Sequence, residues 1–172
     1  MDVEHQPSTP AHLRTAIYAG SFDPITRGHE DLIVRSLEFV DRLIVAVATN
    51  SAKQPLFTVG ERVELIRAAV SGNDRVEVKN FSGLLADFAA RERASLLIRG
   101  LRAVSDFEYE YQMALMNRHL SPRLETVFMI PSLETTYISA SLTREVARYG
   151  GDVSNLVHPA VADALRAKNG ER

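Results

Sequence analysis

Two hydrophobic periods alternate along the chain. Residues 15–19 and 43–49 are short runs rich in apolar and β-branched side chains. The second is nearly unbroken, as expected of a strand buried on both faces of a parallel sheet. Residues 76–79, 95–98 and 126–130 read as three further strands. Between them the spacing becomes helical. Leu32, Ile33, Leu37 and Val40 share one face of a helix predicted over 28–40. A capping-box pair, Thr58 with Glu61, opens a second helix that runs to about Val70. A third is predicted over 84–93, and a fourth from a second such pair, Ser105 with Glu108, to Leu120. A fifth covers 139–149 and is stopped by Gly150 and Gly151. Pro159, suited to a first helical turn, starts a last helix to about Ala167.

Strand and helix alternate five times with no internal repeat and no linker. This predicts an α/β fold, a Rossmann-like, doubly wound domain over 15–168 with a five-stranded parallel sheet and right-handed crossovers. Residues 1–14 are polar, carry Pro7 and Pro10, and read as a flexible N-terminal extension. Ligands of such sheets bind beyond the carboxyl ends of the strands, near the point where strand order reverses. The loops after the strands are therefore where chemistry is sought.

Composition narrows that chemistry. The 172 residues contain no cysteine, which excludes disulfides, a thiol nucleophile and thiolate-held metal sites. With 20 Lys+Arg against 22 Asp+Glu the net charge is −2, so no strongly basic field would draw the chain to nucleic acid. The longest clean apolar stretch, 43–48, is far short of the roughly 18 residues a membrane span needs. Residues 1–14 lack the apolar segment of a signal peptide. The expected location is cytoplasmic, and the available chemistry is that of His, Lys, Arg and hydroxyls.

After the first predicted strand comes Gly20-Ser21-Phe22-Asp23-Pro24-Ile25-Thr26-Arg27-Gly28-His29. Gly20 suits close backbone approach to a ligand. Gly28-His29 opens a helix whose exposed amides and positive dipole end attract phosphate. The spacing is neither Gly-x-Gly-x-x-Gly nor a Walker A loop. Lys53 follows the second strand. Arg99-Gly100-Leu101-Arg102 follows the fourth, two guanidiniums that suit an anion. After the fifth strand, Ile138-Ser139-Ala140-Ser141 places hydroxyls at a helix start, as caps or as a second phosphate cradle. Each signal has a bland alternative in surface charge or capping, but their gathering at one sheet edge points to a polyphosphate ligand. His12, His119 and His158 suit caps or solvated faces, and His5 lies in the extension. There is no Ser-His-Asp arrangement, no metal-ligand spacing and no paired carboxylates. That leaves positioning and charge neutralisation, the profile of phosphoryl or nucleotidyl transfer.

These residues resemble a known family. Ser21-Phe22-Asp23-Pro24, Thr26-x-Gly28-His29 and Ile138-Ser139-x-Ser141 are similar to the signature motifs of the nucleotidyltransferase superfamily. Arg99-Gly100-Leu101-Arg102, Asp106-Phe107-Glu108-Tyr109-Glu110 and Met116-Asn117-Arg118-His119 narrow the resemblance to the bacterial phosphopantetheine adenylyltransferases, over about 16–167. The resemblance implies transfer of the adenylyl group of ATP to 4′-phosphopantetheine, giving dephospho-coenzyme A and pyrophosphate, with Mg²⁺ and a homohexamer. It implies His29, Lys53 and Arg99 as catalytic residues, and Ser21, Lys53, Leu85 and Arg99 as contacts of the acceptor. ATP contacts are implied at Ser21, Phe22, His29, Gly100, Leu101, Arg102, Glu110, Thr135, Thr136, Tyr137, Ile138, Ser139, Ala140 and Ser141. Three positions depart from the family pattern. Ala140 replaces the middle residue of a common serine run, Arg144 stands where many members have Lys, and Thr135 where a bulky aromatic sometimes occurs.

The chemistry of the residues agrees with that implication. The acceptor is already a phosphate anion, so no general base is required, and cations must offset the repulsion of two anions. Mg²⁺ is expected to arrive on the nucleotide phosphates, since it keeps much of its water. The apolar positions of the helix ending at Leu120 cover more than one face, which suits either a subunit contact or a central core helix. Rival readings are a nicotinate mononucleotide adenylyltransferase, a cytidylyltransferase, and a nucleotide sensor without turnover. The Arg99–Arg102 and Asp106–Glu110 segments argue against the first two, and the intact set of His29, Lys53 and Arg99 against the third.

Overall fold

The computed structural model describes residues 13–49 and 54–170. The chain runs β1 (Thr15–Gly20), α1 (Arg27–Ser36), β2 (Arg42–Ala48), α2 (Val59–Ala69), β3 (Val76–Phe81) and α3 (Leu85–Arg91). It continues β4 (Leu96–Gly100), α4 (Val104–Leu120), β5 (Glu125–Met129), α5 (Ala140–Arg148) and α6 (Pro159–Gly170). Every predicted element is present. All strand pairs are parallel, in the order β3-β2-β1-β4-β5, with Ala16 opposite both Leu43 and Leu96. The order reverses between β1 and β4, so the crevice for a ligand opens at Gly20 and Gly100, the carboxyl ends of those two strands.

The unbroken apolar run of β2 is explained by two cores. Leu43, Val45 and Val47 join Ala16, Tyr18 and Ile98 under α1, α2 and α6. Ile44 and Ala46 join Ile17, Ala19 and Leu97 on the opposite face, against Ala86, Phe88 and Ala89 of α3. A side-chain period of two divides each strand between these faces.

Some boundaries differ from the sequence reading. Helix α1 stops at Ser36, not Val40, and its hydroxyl bonds back to the Leu32 carbonyl at 2.6 Å. Leu37 and Val40 remain buried in the turn that follows. Strand β4 extends through Arg99 and Gly100, which pair with Phe128 and Met129, so these two residues are strand, not loop. The Thr58–Glu61 capping box forms with both of its bonds. The Ser105–Glu108 box does not: α4 starts two residues earlier, at Val104, and its cap, Ala103, has no side chain to bond. The Asp106 carboxylate, now in the third helical position, takes the Arg102 amide instead, at 3.3 Å.

Helix α5 closes as predicted. Gly150 has a φ of 76° and donates to the Ala147 carbonyl, and Gly151 donates to that of Val146. This is the Schellman pattern, in which the left-handed position favours glycine.

Candidate functional site

A cavity of about 460 Å³ lies at the reversal point. The ends of β1 and β4 form its floor, and the first turns of α1 and α5 form its walls. Both helices therefore direct their positive ends and unpaired amides into it. Among the described residues, the Gly28, Ala140 and Ser141 amides carry no hydrogen bond. The Leu142 amide is already taken by Ser139 Oγ at 3.1 Å, the cap of α5. Ala140 thus still offers a backbone donor despite lacking a hydroxyl.

The two helix starts are held close together. A Cβ built on Gly28 would sit 3.3 Å from the Thr135 carbonyl oxygen, so any larger residue would press α1 away from the segment before α5. Gly20 lines the cavity and has a second role. The Phe22 backbone is left-handed, with φ of 46°, and folds its ring back to within 3.2 Å of where a Gly20 Cβ would lie. Gly20 makes room for Phe22.

His29 is the third residue of α1, and its ring turns back on the helix start. Its Nδ1 accepts the Thr26 backbone N–H at 3.0 Å and lies 3.0 Å from the Thr26 hydroxyl. A backbone N–H can only donate, so Nδ1 holds a lone pair and the proton of the neutral ring sits on Nε2. Edge-on contact with Phe22, at 5.1 Å between ring centres, fixes the ring plane, and Phe22 in turn meets Tyr18 edge-on at 5.3 Å. Burial, helped by the nearby Arg102 charge, pushes the imidazole down to about 4. His29 is therefore a neutral Nε2–H donor at ordinary pH. Burial also pushes the Tyr18 phenol well above its usual range, so it too stays neutral.

Arg99 differs from the predicted clamp. Its Nε and one terminal nitrogen each donate to a Glu110 carboxylate oxygen at 2.6 Å, and the other terminal nitrogen donates to the Ala19 carbonyl at 2.6 Å. Burial opposes its charge, but the Glu110 pair outweighs this and holds its pKa above the ordinary value. Glu110 comes from α4, so the charge of Arg99 is matched within the chain. Arg102 is more open, with only a 3.6 Å ion pair to Asp106. The cationic mouth suggested by the sequence is thus partly neutralised by Glu110 and Asp106 of α4.

Most of the remaining predicted residues converge. Ser21, Phe22, His29, Arg99, Gly100, Arg102, Glu110, Thr135, Ile138, Ser139, Ala140 and Ser141 all line the cavity. Leu101, Thr136 and Tyr137 lie next to it in sequence but not on its lining, and Tyr137 is largely exposed. Leu85 begins α3 and packs against the second core, away from the lining. Lys53, His5, His12 and the extension over 1–12 fall outside the described residues. His158 does cap a helix, its Nδ1 accepting the Ala160 amide at 3.3 Å, and His119 is exposed.

Several supporting residues were named by the sequence reading but given no structural role. Thr26 is buried and holds His29, and its signal was the capping-box spacing Thr26-x-x-His29. Asp23 is also buried. Its two carboxylate oxygens accept the Leu56 and Phe57 amides at 2.9 Å, tying the loop after β1 to the loop after β2. Arg144 bonds the Asp23 carbonyl and pairs with its carboxylate at 3.4 Å, bringing α5 to the same point. No local pattern announces such long-range partners.

Among the described residues no cluster of His, Asp or Glu could hold a metal ion. Glu110 is the one acidic side chain on the cavity lining, and Arg99 occupies both of its oxygens. No helix among the described residues is long and apolar enough to cross a membrane.

The fold is shared with solved structures. One from Vibrio parahaemolyticus, described as a nicotinate-nucleotide adenylyltransferase, matches with a TM-score of 0.69 at 17% identity, over 89% of this chain and 98% of that one. The Plasmodium falciparum nicotinic acid mononucleotide adenylyltransferase complexed with NaAD matches with a TM-score of 0.67 at 17% identity, over 92% and 97%. At this identity the likeness concerns the fold. The pattern that defines the cytidylyltransferase-like family runs through residues 17–146, from β1 into α5, and the chain therefore belongs to that family of nucleotidyltransferases.

Proposed function

We propose that the chain is a pantetheine-phosphate adenylyltransferase. It joins ATP to 4′-phosphopantetheine and releases dephospho-coenzyme A and pyrophosphate, as a step of coenzyme A synthesis in the cytoplasm. An oxygen of the acceptor phosphate attacks the α-phosphorus of ATP in line. The bond from that phosphorus to the bridging oxygen breaks, and pyrophosphate leaves without a covalent enzyme intermediate.

The observation that carries the transfer chemistry is the fixed tautomer of His29. The Thr26 amide holds Nδ1, which leaves a neutral Nε2–H on a ring that lines a cavity walled by two helix N-termini. It would donate to an α-phosphoryl oxygen as charge shifts onto that group. The unpaired amides of Ala140 and Ser141 suit the remaining phosphates of the nucleotide. Arg99, and Lys53 by family resemblance, would receive the acceptor phosphate. Arg99 keeps two N–H groups beyond the three it spends on Glu110 and Ala19. Mg²⁺ would enter with ATP.

The choice of acceptor rests on the segments from Arg99 to Glu110 and from Met116 to His119, which are similar to those of the phosphopantetheine enzymes. The names of the structural neighbours favour nicotinate mononucleotide as a second reading. A pyrophosphate-release assay with ATP and each acceptor in turn decides between them. Turnover with 4′-phosphopantetheine alone is expected, and turnover with nicotinate mononucleotide alone would overturn the assignment. We also propose a homohexamer, with α4 contributing to the contact between copies.

A further inference from the structure

Arg62 breaks several rules of local structure at once. It is a charged side chain with 1% of its surface exposed. One terminal nitrogen donates to the Ser21 carbonyl at 2.7 Å and to the Ala48 carbonyl at 3.3 Å, so the guanidinium lies under the carboxyl ends of β1 and β2. Both partners are neutral. Its Nε is buried with no partner, and among the described residues no carboxylate lies within ion-pair distance of it. It also stands in the first turn of α2, where the helix dipole disfavours a cation. Glu61, the neighbouring acid, is engaged by Thr58 and Lys168. A buried cation without a counter-charge is costly, and local rules are most often broken where a site needs it.

The missing negative charge has an obvious place. The Ser21 carbonyl bound by Arg62 belongs to a residue on the cavity lining, and the positive ends of α1 and α5 converge on the same space. We propose that Arg62 acts on the cavity through its field without touching the ligand. Its charge has no ion-pair partner among the described residues and is balanced by the polyphosphate that binds beyond Ser21. Part of the binding free energy of that anion is then relief of an unpaired buried cation. This rests on the nucleotidyl-transfer reading only as far as a polyphosphate enters the cavity, and it is independent of which acceptor is used.

Calorimetric titration of the full chain with inorganic pyrophosphate, the leaving group, tests it. Arg62→Gln can keep donors to the two carbonyls but removes the charge, whereas Arg62→Lys keeps the charge and shortens the reach. Pyrophosphate affinity is expected to fall about tenfold in R62Q and to stay within about threefold of wild type in R62K. Ligand-free R62Q is expected to melt no lower than wild type, because it no longer buries an unmatched charge. Equal affinities in R62Q and wild type, equal losses in both variants, or an R62Q chain that melts lower or does not fold would each overturn the proposal. A wild-type chain that does not bind pyrophosphate would overturn the polyphosphate reading itself, and this inference with it.

Discussion

At the scale of a residue, His29 shows how one backbone amide can choose a side chain's chemistry. The Thr26 N–H occupies Nδ1, and the proton is left on Nε2 of a ring that lines the cavity. Loss of one such donor costs roughly 10²–10³ in rate in comparable sites. His29→Ala is therefore expected to lower kcat by about that factor while ATP binding changes little, and a near wild-type kcat would remove His29 from the mechanism. The same variant reports on pH. The folded imidazole titrates near 4, below the ordinary 6.5, so the unfolded chain takes up the proton first. Stability is lost as pH falls from about 6.5 towards 4, by on the order of 3 kcal/mol from this group. Thermal melts of the wild type should show that acid-side loss, and it should be smaller in His29→Ala.

At the scale of an element, helix starts separate pattern from fact. Thr58 and Ser105 carry the same signature, a hydroxyl three residues before a glutamate. Only Thr58 caps, with its hydroxyl accepting the Glu61 amide at 3.2 Å. At the other helix, Asp106 pairs with Arg102 and receives its amide, and the start moves ahead of Ser105. Thr58→Ala is expected to cost about 1 kcal/mol, and Ser105→Ala well under 0.5 kcal/mol. Denaturant unfolding of the two variants checks this, and an equal cost would contradict the assigned caps. The α1 start has the same box geometry with a histidine in the glutamate position, so the capping device also holds the ring of the proposed phosphoryl donor.

At the scale of the whole molecule, α4 stands apart from the other helices. Asn117 is its only buried residue, while Phe107, Tyr109, Tyr111, Leu115, Met116 and Leu120 are exposed. Helix α4 is thus not a core helix of the isolated chain, one of the two options its pattern left open. An apolar surface of this breadth on a single copy favours contact with another. Wild-type chain is expected to sediment as an oligomer, and Met116→Glu, at a position open in the single copy, to shift it towards smaller species. A wild type that stays monomeric at micromolar concentration would refute the contact. Glu110 lies on this same helix and holds Arg99, so α4 joins the proposed subunit contact to the cavity.

The elements and their order could be read from the sequence because they follow from local periodicity. A run such as 43–48 cannot avoid water in any way but as a strand covered on both faces. The chain also displayed most of the cavity, since residues at strand ends and helix starts must gather at one edge of a parallel sheet. It could not display what those residues do to one another. The pairing of Arg99 with Glu110, the grip of Asp23 on the Leu56 and Phe57 amides, and the seat of Arg62 under Ser21 join positions remote in sequence. Hydrogen bonds and ion pairs depend on distances of a few ångströms, and only packing sets these. The sequence by itself therefore determined which groups the site contains, whereas the tertiary structure decided which are already neutralised, which tautomer His29 holds and which charge is left unmatched.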